Sequence, residues 1–125
     1  MLLLDTGIEA RPSNIAPLRR VVTDTLQGWD VASVIDDIVL IVSELVTNAV
    51  RYDGPRVDLR VQLRAGVLRV VVHDGRSAPD SDLHPDDDAE GGRGLQIVEA
   101  LARSWGIQPV PNGKNVWAEL DIPSR

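Results

Sequence analysis

Residues 38–50 read Ile-Val-Leu-Ile-Val-Ser-Glu-Leu-Val-Thr-Asn-Ala-Val. With Val34 and Ile35 before them, the apolar residues Ile38, Ile41, Val42, Leu45, Val46, Ala49 and Val50 recur every three or four positions. That period predicts a helix of roughly five turns whose apolar face is the centre of the core. Ser33 and Asp36 resemble a capping box at its start, and Asp53-Gly54-Pro55 stops it. Within this apolar run stand two polar residues, Glu44 and Asn48. They are spaced i and i+4, so they share one face one turn apart. A carboxylate and an amide beside a core cost energy unless they are paired or solvated in a cleft. The plain alternative for this pair alone is a solvated polar stripe.

Working outward, Ser13 begins a second helical pattern, with Ile15, Leu18, Val21, Val22 and Leu26 inward, Pro17 in the first turns and Gly28 at the C′ position. Ahead of it, Leu2–Leu4 suits a short edge strand. After the central helix, Val57, Leu59, Val61 and Leu63 alternate with polar residues, then come Ala65-Gly66 and the apolar run Val67–His73. This predicts an antiparallel hairpin over 56–73. Residues 74–92 lack periodicity and read as a long loop. A third helix is expected from about Arg93 or Gly94 to Arg103. Strands are expected near 104–110 and 115–122, joined by the turn Pro111-Asn112-Gly113. The order implies α+β class: a two-layer α/β sandwich whose mixed, mostly antiparallel sheet is covered on one face by helices, as one domain over 1–125.

Composition narrows the function. The 125 residues are 43% hydrophobic and 26% charged, with no Cys, no Phe, three Trp and one Tyr. The core must be aliphatic. Disulfides, thiolate metal sites and thiol nucleophiles are excluded, and stacking platforms for single-stranded nucleic acid are nearly absent. Net charge is −6, and the acids Asp74, Asp80, Asp82, Asp86, Asp87, Asp88 and Glu90 crowd one stretch with Arg76 as its only base. An acidic chain of this kind argues against a phosphate-backbone binder. No apolar run has membrane-helix length and no export signal precedes Asp5, so the expectation is a cytoplasmic protein. His84 and Asp86–Asp88 read as a solvated lid, not a metal cluster, because successive Asp residues do not converge on one ion.

Two further motifs carry chemistry. Val70-Val71-Val72-His73-Asp74-Gly75 is an apolar strand ending in a carboxylate, where binding residues commonly sit. Gly91-Gly92-Arg93-Gly94-Leu95 opens a helix. There the glycines permit close approach, and the free N–H groups favour an anion. It is neither a Walker A loop nor a dinucleotide fingerprint.

Taken together and in this order, Ser43–Tyr52, His73-Asp74-Gly75, Gly92-Arg93-Gly94-Leu95 and Gly113-Lys114-Asn115-Val116 resemble the four boxes of the GHKL (Bergerat-fold, histidine-kinase-like) ATPases. The nearest subgroup is the small bacterial anti-sigma-factor serine/threonine kinases. The resemblance implies an ATP/Mg-binding regulatory protein that transfers the γ-phosphate to an antagonist protein. The alternative it leaves open is an ATP-binding module that sequesters its partner with little or no kinase activity. It implies Glu44 as general base and Asn48 as Mg²⁺ ligand. Asp74 with Gly75 would lie at the adenine, selecting it through the 6-amino group. Gly92, Arg93, Gly94 and Leu95 would lie at the phosphates, with Arg51 and Lys114 as further phosphate contacts. The partners implied are a sigma factor or an anti-anti-sigma protein, with no direct nucleic acid or membrane contact, and a homodimer. The sequence departs from the family pattern in three places. A second glycine after Asp74-Gly75 is missing, Tyr52 stands where relatives have His, and Lys114 replaces a Thr.

Overall fold

The computed structural model describes residues 1–51, 55–75 and 92–123, with residues 92–94 as backbone only. Strand β1 (Leu2–Glu9) leads through a 3-10 turn (Pro12–Asn14) into helix α1 (Ile15–Gly28). A second 3-10 turn (Ala32–Val34) leads into helix α2 (Ile35–Arg51). Strands β2 (Arg56–Arg64) and β3 (Val67–Asp74) follow, then helix α3 (Gly92–Leu101) and strands β4 (Ser104–Val110) and β5 (Gly113–Asp121). The five strands form one sheet in the order β1-β2-β3-β5-β4. All four pairings are antiparallel.

The hairpin β2–β3 closes on Ala65-Gly66, both with positive φ (53° and 79°). That is the backbone twist a two-residue hairpin turn requires. Strand β5 inserts between β3 and β4, so the chain leaves the end of β3, passes through α3 and returns beside it. The end of β3 and the start of β5 therefore meet at one end of the sheet, with Asp74 directly opposite Lys114.

The side-chain alternation of β2, β3 and β5 buries Val57, Leu59, Val61, Leu68, Val70, Val72, Val116, Ala118 and Leu120. Against them lies the apolar face of α2: Ile38, Ile41, Val42, Leu45 and Val46. Helix α1 adds Leu18, Val22 and Leu26, and α3 adds Leu95 and Val98. The largest fully buried side chains are Leu, Ile and Val, so the core is aliphatic as composition requires. Each such side chain stabilises by about 1.5–3 kcal/mol on burial. The opposite face of the sheet is polar and laced with ion pairs. Arg60 contacts Asp5 at 2.9 Å, and Arg69 contacts Glu119 at 2.7 Å while lying 4.6 Å over the Trp117 ring.

Three local expectations are corrected. The edge strand is not confined to Leu2–Leu4. It runs to Glu9, because full pairing with β2 extends it and places Leu4 and Ile8 against the core. Ser33 is not a side-chain cap. The chain enters α2 through a 3-10 turn, anchored by the Val34 N–H donating to the Val31 carbonyl at 3.0 Å and by the burial of Val31. Gly28 is the last residue of α1, and the left-handed residue that redirects the chain is Asp30 (φ 64°). Asp is among the few non-glycine residues that tolerate that region.

Candidate functional site

A cavity opens at the end of the sheet where β3 stops and β5 starts. It is narrow, with a volume of about 10 Å³, and is lined by Leu45, Asn48, Ala49, Val72, Asp74, Leu95, Lys114 and Val116. Four elements build it. The buried side of α2 carries Leu45 and Ala49 and sets Asn48 beside them. The inward alternation of β3, Leu68-Val70-Val72, continues to Asp74. The same alternation in β5 brings Lys114 in line with Val116. Leu95, in the first turn of α3, is buried and forms part of the wall. Because α3 opens at Gly92, its unpaired N–H groups lie in the turn that carries Leu95, where an anion is stabilised.

The walls are apolar and the polar groups few, which is the usual make-up of a small-molecule site. Asn48 is half-buried and has no hydrogen-bond partner among the described residues. Glu44, one turn earlier on the same face, is also half-buried and without such a partner, and lies outside the cavity's described lining. Asp74 and Lys114 are the only buried charged residues among those described, 2% and 4% exposed. Lys114 Nζ donates to Asp74 Oδ2 at 3.2 Å.

Gly113 makes this approach possible. Its φ is +139°, and a Cβ there would strike the Asp74 carbonyl oxygen. Only glycine allows the β5 backbone this close to Asp74 and Gly75.

The sequence-derived residues thus separate into groups. Asn48, Asp74, Leu95 and Lys114 converge on one cavity. Gly75 follows Asp74 at the end of β3, and Gly92, Arg93 and Gly94 begin α3. The Arg93 side chain, Tyr52, the acidic stretch 80–90 and the site of the missing second glycine lie outside what is described. Arg51 is exposed at the last residue of α2 and is not part of the described lining. His73 points to the opposite, polar face, with Nδ1 3.8 Å from Asp58 Oδ2, which fits a structural role. Lys114, expected at the phosphates, is engaged with the carboxylate at the end of β3. Sequence reasoning missed this pairing, although both residues end an inward apolar alternation.

An apolar cavity lined by a buried carboxylate and by the first turn of a helix thus lies at one end of an antiparallel sheet covered by helices, an α+β arrangement. The model of the histidine kinase-like ATPase domain matches residues 8–120, and the chain belongs to that family of ATP-binding domains. Solved structures agree. The histidine kinase domain of the blue-light activated histidine kinase of Erythrobacter litoralis EL346 is 29% identical, with a TM-score of 0.57, over 70% of this chain and 44% of that one. A second structure of that kinase is 28% identical, with a TM-score of 0.59, over 72% and 31% of the two chains. The present chain therefore spans less than half of either solved protein. No curated protein matches the sequence significantly. No helix among the described residues is long and apolar enough to cross a membrane.

Proposed function

We propose that the chain is an ATP- and Mg²⁺-dependent regulatory protein kinase of the anti-sigma-factor type, which phosphorylates a serine or threonine of a small antagonist protein. The observation that carries this reading is the placing on one face of α2 of two half-buried polar side chains, Glu44 and Asn48, without partners among the described residues, with Asn48 lining a cavity that ends in Asp74. A purely structural helix gains nothing from such groups.

In this reading the base enters the apolar cavity between Val72, Leu95 and Val116, with Asp74 accepting from an exocyclic amine. The triphosphate extends toward the first turn of α3, where backbone N–H groups donate to its oxygens. Asn48 fits a hard cation: its amide oxygen is a suitable ligand, and no cluster of three acidic, His or Cys side chains exists among the described residues to hold a metal without the nucleotide. When bound, Mg²⁺ would neutralise phosphate charge.

Glu44 orients the acceptor hydroxyl and takes its proton. The hydroxyl oxygen forms a bond to the γ-phosphorus, the bond from that phosphorus to the β,γ-bridging oxygen breaks, and ADP leaves with the electron pair. The binding of a sigma factor follows from the same resemblance and rests on no separate feature of the cavity.

The test is transfer of label from γ-labelled ATP into proteins of the host extract. Wild type should give acid-stable, alkali-labile phosphate, the behaviour of serine and threonine esters, and Glu44→Ala should give none. Acid-labile label would mean histidine transfer. Absence of label beside tight ATP binding would favour the partner-sequestering module.

A further inference from the structure

Resting on the reading of the cavity as a nucleotide site, we infer that Lys114 is a built-in competitor of the base. Its ammonium holds the acceptor and the space that a purine's exocyclic amine would take, and the side chain must swing out before nucleotide binds. Lys114 Nζ donates to Asp74 Oδ2 at 3.2 Å, and both residues are almost wholly buried. Both line the cavity, whose volume is about 10 Å³. That is room for about one water molecule. No bicyclic base enters while the lining stands as it does, so part of the wall has to move.

Lys114 is the lining side chain best able to move. Leu45, Val72, Leu95 and Val116 are apolar and buried in the core, Ala49 has no side chain to swing, and Asn48 is short. Lys114 has a long flexible stem and is the second residue of β5, at the end of the sheet. Gly113 allows the β5 backbone close against Asp74 and Gly75, so the exchange is a movement of side chain and not of strand register. Ammonium and exocyclic amine are both N–H donors to one carboxylate. The ammonium makes the charge-assisted bond, which is roughly twice as strong as a neutral one. The fraction of molecules in which Lys114 has left Asp74 therefore scales the apparent affinity. If that fraction is about one-tenth, nucleotide binds about ten-fold more weakly than the open cavity would hold it. Lys114 thus sets the nucleotide affinity of this chain.

Lys114 is the chain's one lysine, so wild-type protein carrying nitrogen-15 lysine gives a single lysine ammonium signal in magnetic resonance. The experiment follows exchange of its hydrogens with water as ATP is added, with calorimetry recording the binding. A buried, carboxylate-held ammonium exchanges slowly, and at saturating ATP the exchange should quicken about ten-fold or more. Unchanged or slower exchange at saturation overturns the inference, because Lys114 then stays on Asp74 while nucleotide binding stands. A second arm compares adenosine, which has no phosphate for Lys114 to meet, on wild type and Lys114→Ala. Adenosine should bind the variant about ten-fold more tightly, and equal or weaker binding to the folded variant contradicts competition. The first arm needs no variant, so a misfolded Lys114→Ala leaves the test intact. If no nucleotide binds, the proposed function fails, and this inference with it.

Discussion

Asp74 and Lys114 face each other across β3 and β5 with Oδ2 and Nζ 3.2 Å apart, both almost wholly buried. Burying two charges costs more than their attraction returns unless each is well paired. Removing Asp74 leaves the Lys114 ammonium without its described partner, and removing Lys114 takes a cation from beside a buried carboxylate. Lys114→Met and Asp74→Leu should each destabilise by about 3–5 kcal/mol, whereas the double replacement should cost less than either. Urea unfolding of the four proteins measures this, and additive costs would contradict a coupled pair.

In the proposed function Glu44 serves the chemistry and not the binding. Glu44→Gln should lower the initial rate of phosphate transfer about 10²–10⁴-fold while leaving ATP affinity within about three-fold of wild type. Calorimetry beside a label-transfer assay separates the two effects. A parallel loss of affinity and rate would place Glu44 in nucleotide binding instead.

Two backbone positions carry opposite expectations. Gly113→Ala should destabilise by about 2 kcal/mol or more, since both its φ of +139° and its contact with Asp74 exclude a Cβ. Ala65→Asn should stabilise by up to about 1 kcal/mol, because Ala65 holds φ 53° in a turn that prefers Asn followed by Gly. Thermal unfolding reads both, and a neutral Gly113→Ala would show that β5 can withdraw from Asp74 without cost.

The sequence made much of this legible where one period ran unbroken. The buried face of α2 and the β2–β3 hairpin follow directly from spacings of three to four and of two. Strand β1 was less legible because Asp5, Thr6 and Gly7 dilute its pattern, and its length comes from pairing with β2. The start of α2 was misread because burial of Val31 and Val34, not a hydroxyl, fixes it. The site residues were visible as separate motifs. The Asp74–Lys114 contact was not, since it depends on β5 inserting next to β3, a matter of strand order that local pattern does not encode. The sign was nonetheless present: each charge ends a run of inward apolar residues.

Asn48 provides the most direct test of the central claim that this cavity is an ATP site. The measurement is calorimetric titration of ATP, with and without Mg²⁺, on wild type and Asn48→Ala. The account predicts Mg²⁺-dependent binding in wild type. In Asn48→Ala, affinity should fall about ten-fold or more with Mg²⁺ present and change little without it, at nearly unchanged stability. Binding that is indifferent to both Mg²⁺ and Asn48, or no binding in any condition, would contradict it.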